Sequence, residues 1–138
     1  MVDLPQPPAL TAEAQHFFTA AAAGRLELQA CDACATRWFY PRPACIACGS
    51  EDYHWQAVSG QGVVASFSIV HRAPSAEFRH KVPYVVAMID LSEGPRMMAN
   101  IIGDDALDVA IDDAVHVVFE KRGERFAMPQ FERDRRSR

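Results

Sequence analysis

Residues 31–48 read CDACATRWFYPRPACIAC, with the spacing Cys31-x2-Cys34-x10-Cys45-x2-Cys48. Each CxxC pair can clasp one ion from its own side, so four thiolates converge tetrahedrally on a single metal. Zinc suits this donor set and has no redox chemistry; iron in a rubredoxin-like site would use the same ligands. Four sulfurs leave no coordination position for water or substrate. The expected ion, one zinc per chain, is therefore structural and cannot activate a nucleophile. A ribbon this short has too little core to fold by itself, and metal binding supplies that free energy. Trp38, Phe39 and Tyr40 sit in the arm between the pairs, placed to cover the ribbon or pack it on its neighbour. An exposed partner-binding patch is the less common alternative.

The totals frame this reading. The chain has 138 residues, 49% hydrophobic and 23% charged, with a net charge of −4. That is enough for one ordinary domain, or a compact one with a small module attached. The acidic balance speaks against a general nucleic-acid binder, whose affinity rests on neutralising phosphates. The N-terminal MVDLPQPPAL lacks the basic start and apolar run of a secretory signal. No stretch reaches the roughly 18 apolar residues of a membrane span. The expected compartment is the cytoplasm, where thiols stay reduced and paired cysteines suggest a metal before disulfides.

Outward from the cysteines, Thr11 is a candidate N-cap for a helix running to about Ala23, with Gly24 as its stop. Ala14, Phe17, Phe18, Ala21 and Ala22 form one apolar stripe. RLELQA then alternates Leu26, Leu28 and Ala30 as a strand leading into Cys31. From Tyr53 the chain is mostly strand. VVASFSIVHR puts Val63, Ala65, Phe67 and Ile69 on one face, and PYVVAMID is apolar on both. SEGP turns the chain into RMMANII, and AVHVVFEK turns through RGE into RFAMPQF. Five short strands at this spacing predict a small antiparallel barrel or sandwich. The connection GDDALDVAIDD reads as a helical turn or irregular segment, and ERDRRSR as a solvated tail.

The order of helix, double-CxxC ribbon and five-strand barrel resembles the zinc-ribbon OB-fold family of acyl-CoA-associated proteins. The resemblance is carried by FF at 17–18 with GRLELQAC, by CDACATRWFYPRPACIACGS, and by GQGVVASFSIV, VPYVVAMIDLSEG, MMANIIG and the ending AMPQFE. It covers about residues 14 to 132. Three positions depart from the family pattern: Ala35 and Ile46 where Gly and Pro are usual, and Asp113 where a turn Gly is usual. None removes a metal ligand. The resemblance implies an accessory subunit, in a hetero-oligomer with a thiolase-like or ketosynthase-like enzyme, that helps present acyl-CoA. Within that frame Phe17, Phe18, Trp38 and Phe39 are candidate partner contacts. The implied division is a tail and helix at 1–24, a zinc ribbon at 25–52, an OB-fold-like barrel at 53–132 and a flexible tail at 133–138.

A search for a catalyst finds none. GxSxG, Walker, GxGxxG and HExxH motifs are absent, and every cysteine is committed to metal. His16, His54, His71, His80 and His116 read as surface or core residues. Asp104, Asp105, Asp108, Asp112 and Asp113 lack EF-hand spacing and read as a solvated acidic loop. In HRAPSAEFRHKVP, Arg72, Arg79 and Lys81 concentrate positive charge and are candidate contacts for coenzyme A phosphates, against the plainer reading of a solvated loop. The leading expectation is a mainly β, non-catalytic subunit of a thiolase-type acyl-CoA complex, with no membrane partner. The alternative is a single-stranded nucleic-acid binder, since ribbons and OB barrels recur in such proteins.

Overall fold

The structure, a computed structural model, describes residues 11–122 and 126–134. The proline-rich lead, the tip of the RGE turn and the last four residues, 135–138, lie outside the described residues. The Thr11 hydroxyl accepts the Ala14 N–H at 3.1 Å and caps α1 (Ala12–Ala22). Gly24 adopts φ +84°, the left-handed conformation that lets the chain leave the helix. Ala14, Phe17, Phe18 and Ala21 of the expected stripe are buried, joined by Ala20. Phe18 stacks on Phe126 with ring centroids 4.5 Å apart, and Phe17 tilts against Phe39 at 5.5 Å. The helix is therefore a wedge, one phenylalanine toward the barrel and the other toward the ribbon arm.

β1 (Leu26–Cys31), β2 (Arg37–Trp38) and β3 (Tyr53–Val58) form an antiparallel sheet in the order β2-β1-β3. β3 pairs with β1 along its whole length, Cys31 opposite Tyr53 and Leu26 opposite Val58. Tyr53–Val58, expected to open the barrel, thus belongs to the ribbon's sheet. The five strands expected from composition and turns are all present: β4 (Gln61–Val70), β5 (Tyr84–Leu91), β6 (Arg96–Ile102), β7 (Ala114–Lys121) and β8 (Ala127–Arg133). They close into a barrel in the order β4-β5-β6-β8-β7, with β7 returning to β4 and the β6–β8 pair parallel. The connection between β6 and β7 carries a 3₁₀ turn at Ala106–Asp108.

Two details depart from simple alternation. In β4, Val64 is fully buried and Val63 is exposed, so the face that carries Val63 begins by pointing outward. The register shifts between Val64 and Ser66, and this bulge turns Phe67 and Ile69 back against the core. At the other end of the chain, Arg133 is not tail. It closes β8, and its guanidinium donates to Asp113 at 2.8 Å and to Asp105 at 3.2 Å. The acidic connection is thereby pinned to the barrel. The barrel core is apolar, with Val64, Val85, Ile89, Val115 and Phe131 showing no exposed surface.

Candidate metal centre and barrel pocket

The four cysteines meet. Cys31 and Cys48 Sγ are 3.6 Å apart, as are Cys34 and Cys45, and all four sulfurs lie within 4.8 Å of one another. A tetrahedron with zinc–sulfur bonds of about 2.3 Å has edges of about 3.8 Å, so the donor set fits zinc. The backbone makes each knuckle. Ala33 N–H points at Cys31 Sγ at 3.3 Å, and Ala47 and Cys48 N–H point at Cys45 Sγ at 3.3 and 3.5 Å. The turns match: Ala35 N–H donates to the Cys31 carbonyl and Gly49 N–H to the Cys45 carbonyl, both at 3.0 Å.

Electrostatics asks for a cation here. Thr36, through its hydroxyl and then its backbone, holds the Cys34 thiol down at about 6. Cys45 is lowered chiefly by the Cys48 backbone N–H. Cys48 goes the other way, to about 12: the Ser50 backbone lowers it, but the neighbouring Cys31 and Cys34 thiols together raise it further. Four sulfurs this close cannot all ionise unless a positive ion compensates them.

The matching turns differ at the left-handed position. Ala35 sits at φ +65° where its counterpart Gly49 sits at +79°. A left-handed conformation costs a residue with Cβ roughly 1–2 kcal/mol, offset by about 0.4–1 kcal/mol of extra unfolded-chain entropy for glycine. Ala35→Gly is therefore expected to stabilise the ribbon by roughly 0.5–1 kcal/mol, read as slower transfer of zinc to a chelator. In the β6–β7 connection, the non-glycine residue at positive φ is Asp112, at +72°, one position before the Asp113 singled out in the sequence.

Behind the metal ligands, one buried amide ties the ribbon together. Gln29, 1% exposed, accepts from Trp38 Nε1 at 2.7 Å and Arg42 N–H at 2.8 Å through Oε1, and donates to the Arg42 carbonyl at 2.7 Å. No motif marks this amide, because Gln29 falls on what reads as the polar face of β1.

The candidate partner residues separate by burial. Trp38 is 2% exposed and lies inside the ribbon, so it has no surface to offer a partner. Phe17, Phe18 and half-buried Phe39 floor an apolar groove that also takes in Tyr40, Met97, Met98 and Met128. The exposed residues of that groove are Met98 and Tyr40. Among the described residues the clustered ligand set is the four cysteines without a histidine: His16 stacks on Trp55 and contacts Glu27, His54 contacts Asp32, and His116 contacts Asp134.

Of the cationic loop, Arg72 and Arg79 are exposed, while half-buried Lys81 lines a cavity of about 270 Å³ in the barrel wall. Asn100 and Gln130 line the same cavity, and sequence reasoning passed over both. They lie thirty positions apart and meet only because β6 and β8 are neighbours. Among the described residues no helix is long and apolar enough to cross a membrane.

A family model described as the ChsH2 rubredoxin-like zinc ribbon domain matches residues 18–54, and one described as the ChsH2 C-terminal OB-fold domain matches residues 55–120. A solved structure titled "Ltp2-ChsH2(DUF35) aldolase" superposes with a TM-score of 0.80 at 32% identity, over 92% of this chain and 98% of that one. A probable enoyl-CoA hydratase alpha subunit of Thermomonospora curvata is 38% identical over 96 residues, 70% of this chain. A DUF35 domain-containing scaffold protein of Methanocaldococcus jannaschii is 36% identical over 92 residues, 66% of this chain. The chain spans 30% and 64% of the lengths of these two relatives.

Proposed function

The chain belongs to the ChsH2 family of zinc-ribbon and OB-fold proteins, and from that premise we propose that it is a non-catalytic accessory subunit docked on a thiolase-like or ketosynthase-like enzyme. In this reading it supports acyl-CoA binding for carbon–carbon bond formation or cleavage. The partner supplies the nucleophile. One observation carries the reading: every thiol of the chain sits in a single cluster with no place for a substrate. The relatives named as scaffold proteins and as hydratase or aldolase subunits are consistent with this role.

Cys31, Cys34, Cys45 and Cys48 would hold one structural zinc, which fixes the ribbon's shape and performs no step. The surface best suited to the partner is the groove floored by Phe17, Phe18 and Phe39, with Met98 and Tyr40 at its rim. Methionine and aromatic side chains adapt to a partner's surface and are enriched where interfaces are buried. Arg72, Arg79 and Lys81 remain candidates for coenzyme A phosphates, with Lys81 the one that faces a cavity.

Untagged recovery of the chain from its native cells should bring with it an enzyme carrying its own thiolase-type nucleophile. Met98→Glu, placed on an exposed side chain, should release that enzyme at unchanged thermal stability. Recovery of the chain alone, or with nucleic acid only, overturns the proposal, as does thioester turnover by the isolated chain.

A further inference from the structure

The cavity beside Lys81 is built, not incidental. Its floor is half-buried Asn100 and buried Gln130. Gln130 is 2% exposed, and its Oε1 accepts the Asn100 backbone N–H at 3.2 Å. The Asn100 side chain donates through Nδ2 to the Val85 carbonyl at 2.9 Å. These bonds fix both amides: a flipped Gln130 would face a donor with a donor, and a flipped Asn100 an acceptor with an acceptor. What remains is Gln130 Nε2 as a donor and Asn100 Oδ1 as an acceptor, neither with a partner among the described residues. Both amides are held in place, so the cavity is offered one oriented donor and one oriented acceptor.

The walls add shape and charge. Phe78 and Tyr84 stand with ring centroids 5.6 Å apart along one side. Of the two cations, Arg122 is committed to Glu120 at 2.7 Å, while Lys81 is 3.9 Å from Glu120 and open to a stronger anion. The lining comes from the β4–β5 connection, the second and third barrel strands and the residue after β7, completed by Gln130 of β8 and by the β6–β7 connection around Leu107. That is the face on which five-stranded barrels of this type hold their ligands.

We propose that this cavity binds the base of an adenine nucleotide. An adenine edge presents an acceptor ring nitrogen next to an exocyclic N–H donor, which complements a fixed donor and a fixed acceptor. Its flat face stacks on the aromatic wall, and its phosphates extend toward Lys81. A cavity of about 270 Å³ with one aromatic wall takes a single nucleotide; an oligonucleotide needs a basic track with repeated stacking platforms, which a chain of net charge −4 does not supply. Coenzyme A carries this moiety, so the site deepens the acyl-CoA part of the proposed function and rests on it only for the choice between coenzyme A and a free nucleotide.

The test uses the zinc-loaded full chain, with AMP, coenzyme A, pantetheine and a dA oligonucleotide titrated by calorimetry. AMP and coenzyme A should bind and pantetheine should not. Gln130→Glu keeps the bond to Asn100 and removes the donor; it should weaken both nucleotides at least tenfold. Leu107→Trp, at an exposed position on the cavity's edge, should do the same by filling it, and stands in should Gln130→Glu not fold. Binding of pantetheine as tight as coenzyme A, nucleotide binding indifferent to both variants, or no nucleotide binding overturns the site. So does an oligonucleotide that outcompetes AMP with steep salt dependence. None of these touches the docking proposal, which is decided by the co-purifying enzyme. Tighter binding of coenzyme A than AMP supports the thioester carrier; equal binding supports the site for free nucleotides.

Discussion

Replacing Cys45 with Ser is expected to reduce bound zinc from about one ion per chain to none and to unfold residues 31–52, leaving the barrel folded. The ribbon's own core is Cys31, Trp38 and Cys45, with Tyr53 packed against them. Burying one large apolar side chain contributes about 1.5–3 kcal/mol, whereas structural zinc contributes about 10–16 kcal/mol of apparent folding free energy. The metal decides. Leu26 and Leu28, by contrast, belong to the large core shared with α1 and the barrel, and that core keeps its packing without the ion. Metal analysis together with amide hydrogen exchange separates the two regions: protection should vanish around Trp38 and persist at Ile89 and Val115. Acid should mimic the substitution, since each thiolate must take up a proton to release the ion and affinity falls as pH falls. Retention of a full complement of zinc by the variant would refute the four-sulfur site.

Gln29→Leu should be nearly as damaging, although it touches no metal ligand. The substitution strands Trp38 Nε1–H, the Arg42 N–H and the Arg42 carbonyl together in a buried setting. Each stranded group costs about 1–3 kcal/mol, so the sum approaches what a small module has to lose. Because zinc holds the folded form, the loss should read out first as zinc escaping to a chelator at least a hundredfold faster. Gln29→Glu is the useful companion: it keeps the acceptor for both N–H groups and loses only the donor to Arg42. An intermediate rate for that variant, between wild type and Gln29→Leu, would separate the hydrogen-bond role from simple shape.

Much of this was legible in the linear sequence, for identifiable reasons. Cysteine spacing is a local constraint, so the metal cluster could be read from residues 31–48 alone. The five barrel strands announced themselves through apolar runs and turn residues, and Thr11 through its place before a periodic stripe. What escaped depends on partners far away in sequence. Val63 and Val64 are equally apolar, so only the bulge, set by pairing with β5, decides which one faces inward. Tyr53–Val58 looks like any barrel strand until β1 claims it. Trp38 could be read both as ribbon cover and as a partner contact, and its burial, which decides for the first, depends on Gln29 and Tyr53. The floor of the barrel cavity needs two amides that are neutral, ordinary and thirty residues apart, and no periodicity marks them.

β3 ends at Val58 and β4 begins at Gln61, so only Ser59 and Gly60 separate the ribbon's sheet from the barrel. Glu93, in the turn after β5, clasps this join: its carboxylate accepts the Ser59 N–H at 2.8 Å and its carbonyl accepts from Arg37 at 3.0 Å. α1 adds a second brace, with Phe17 against the ribbon arm and Phe18 against Phe126 of the barrel. The groove offered to an enzyme has Phe39 and Tyr40 of the ribbon arm on one side and Met98 and Met128 of the barrel on the other, so a partner seated there holds both halves like a staple, and lengthening the join by a few glycines would pull the two legs of that staple apart.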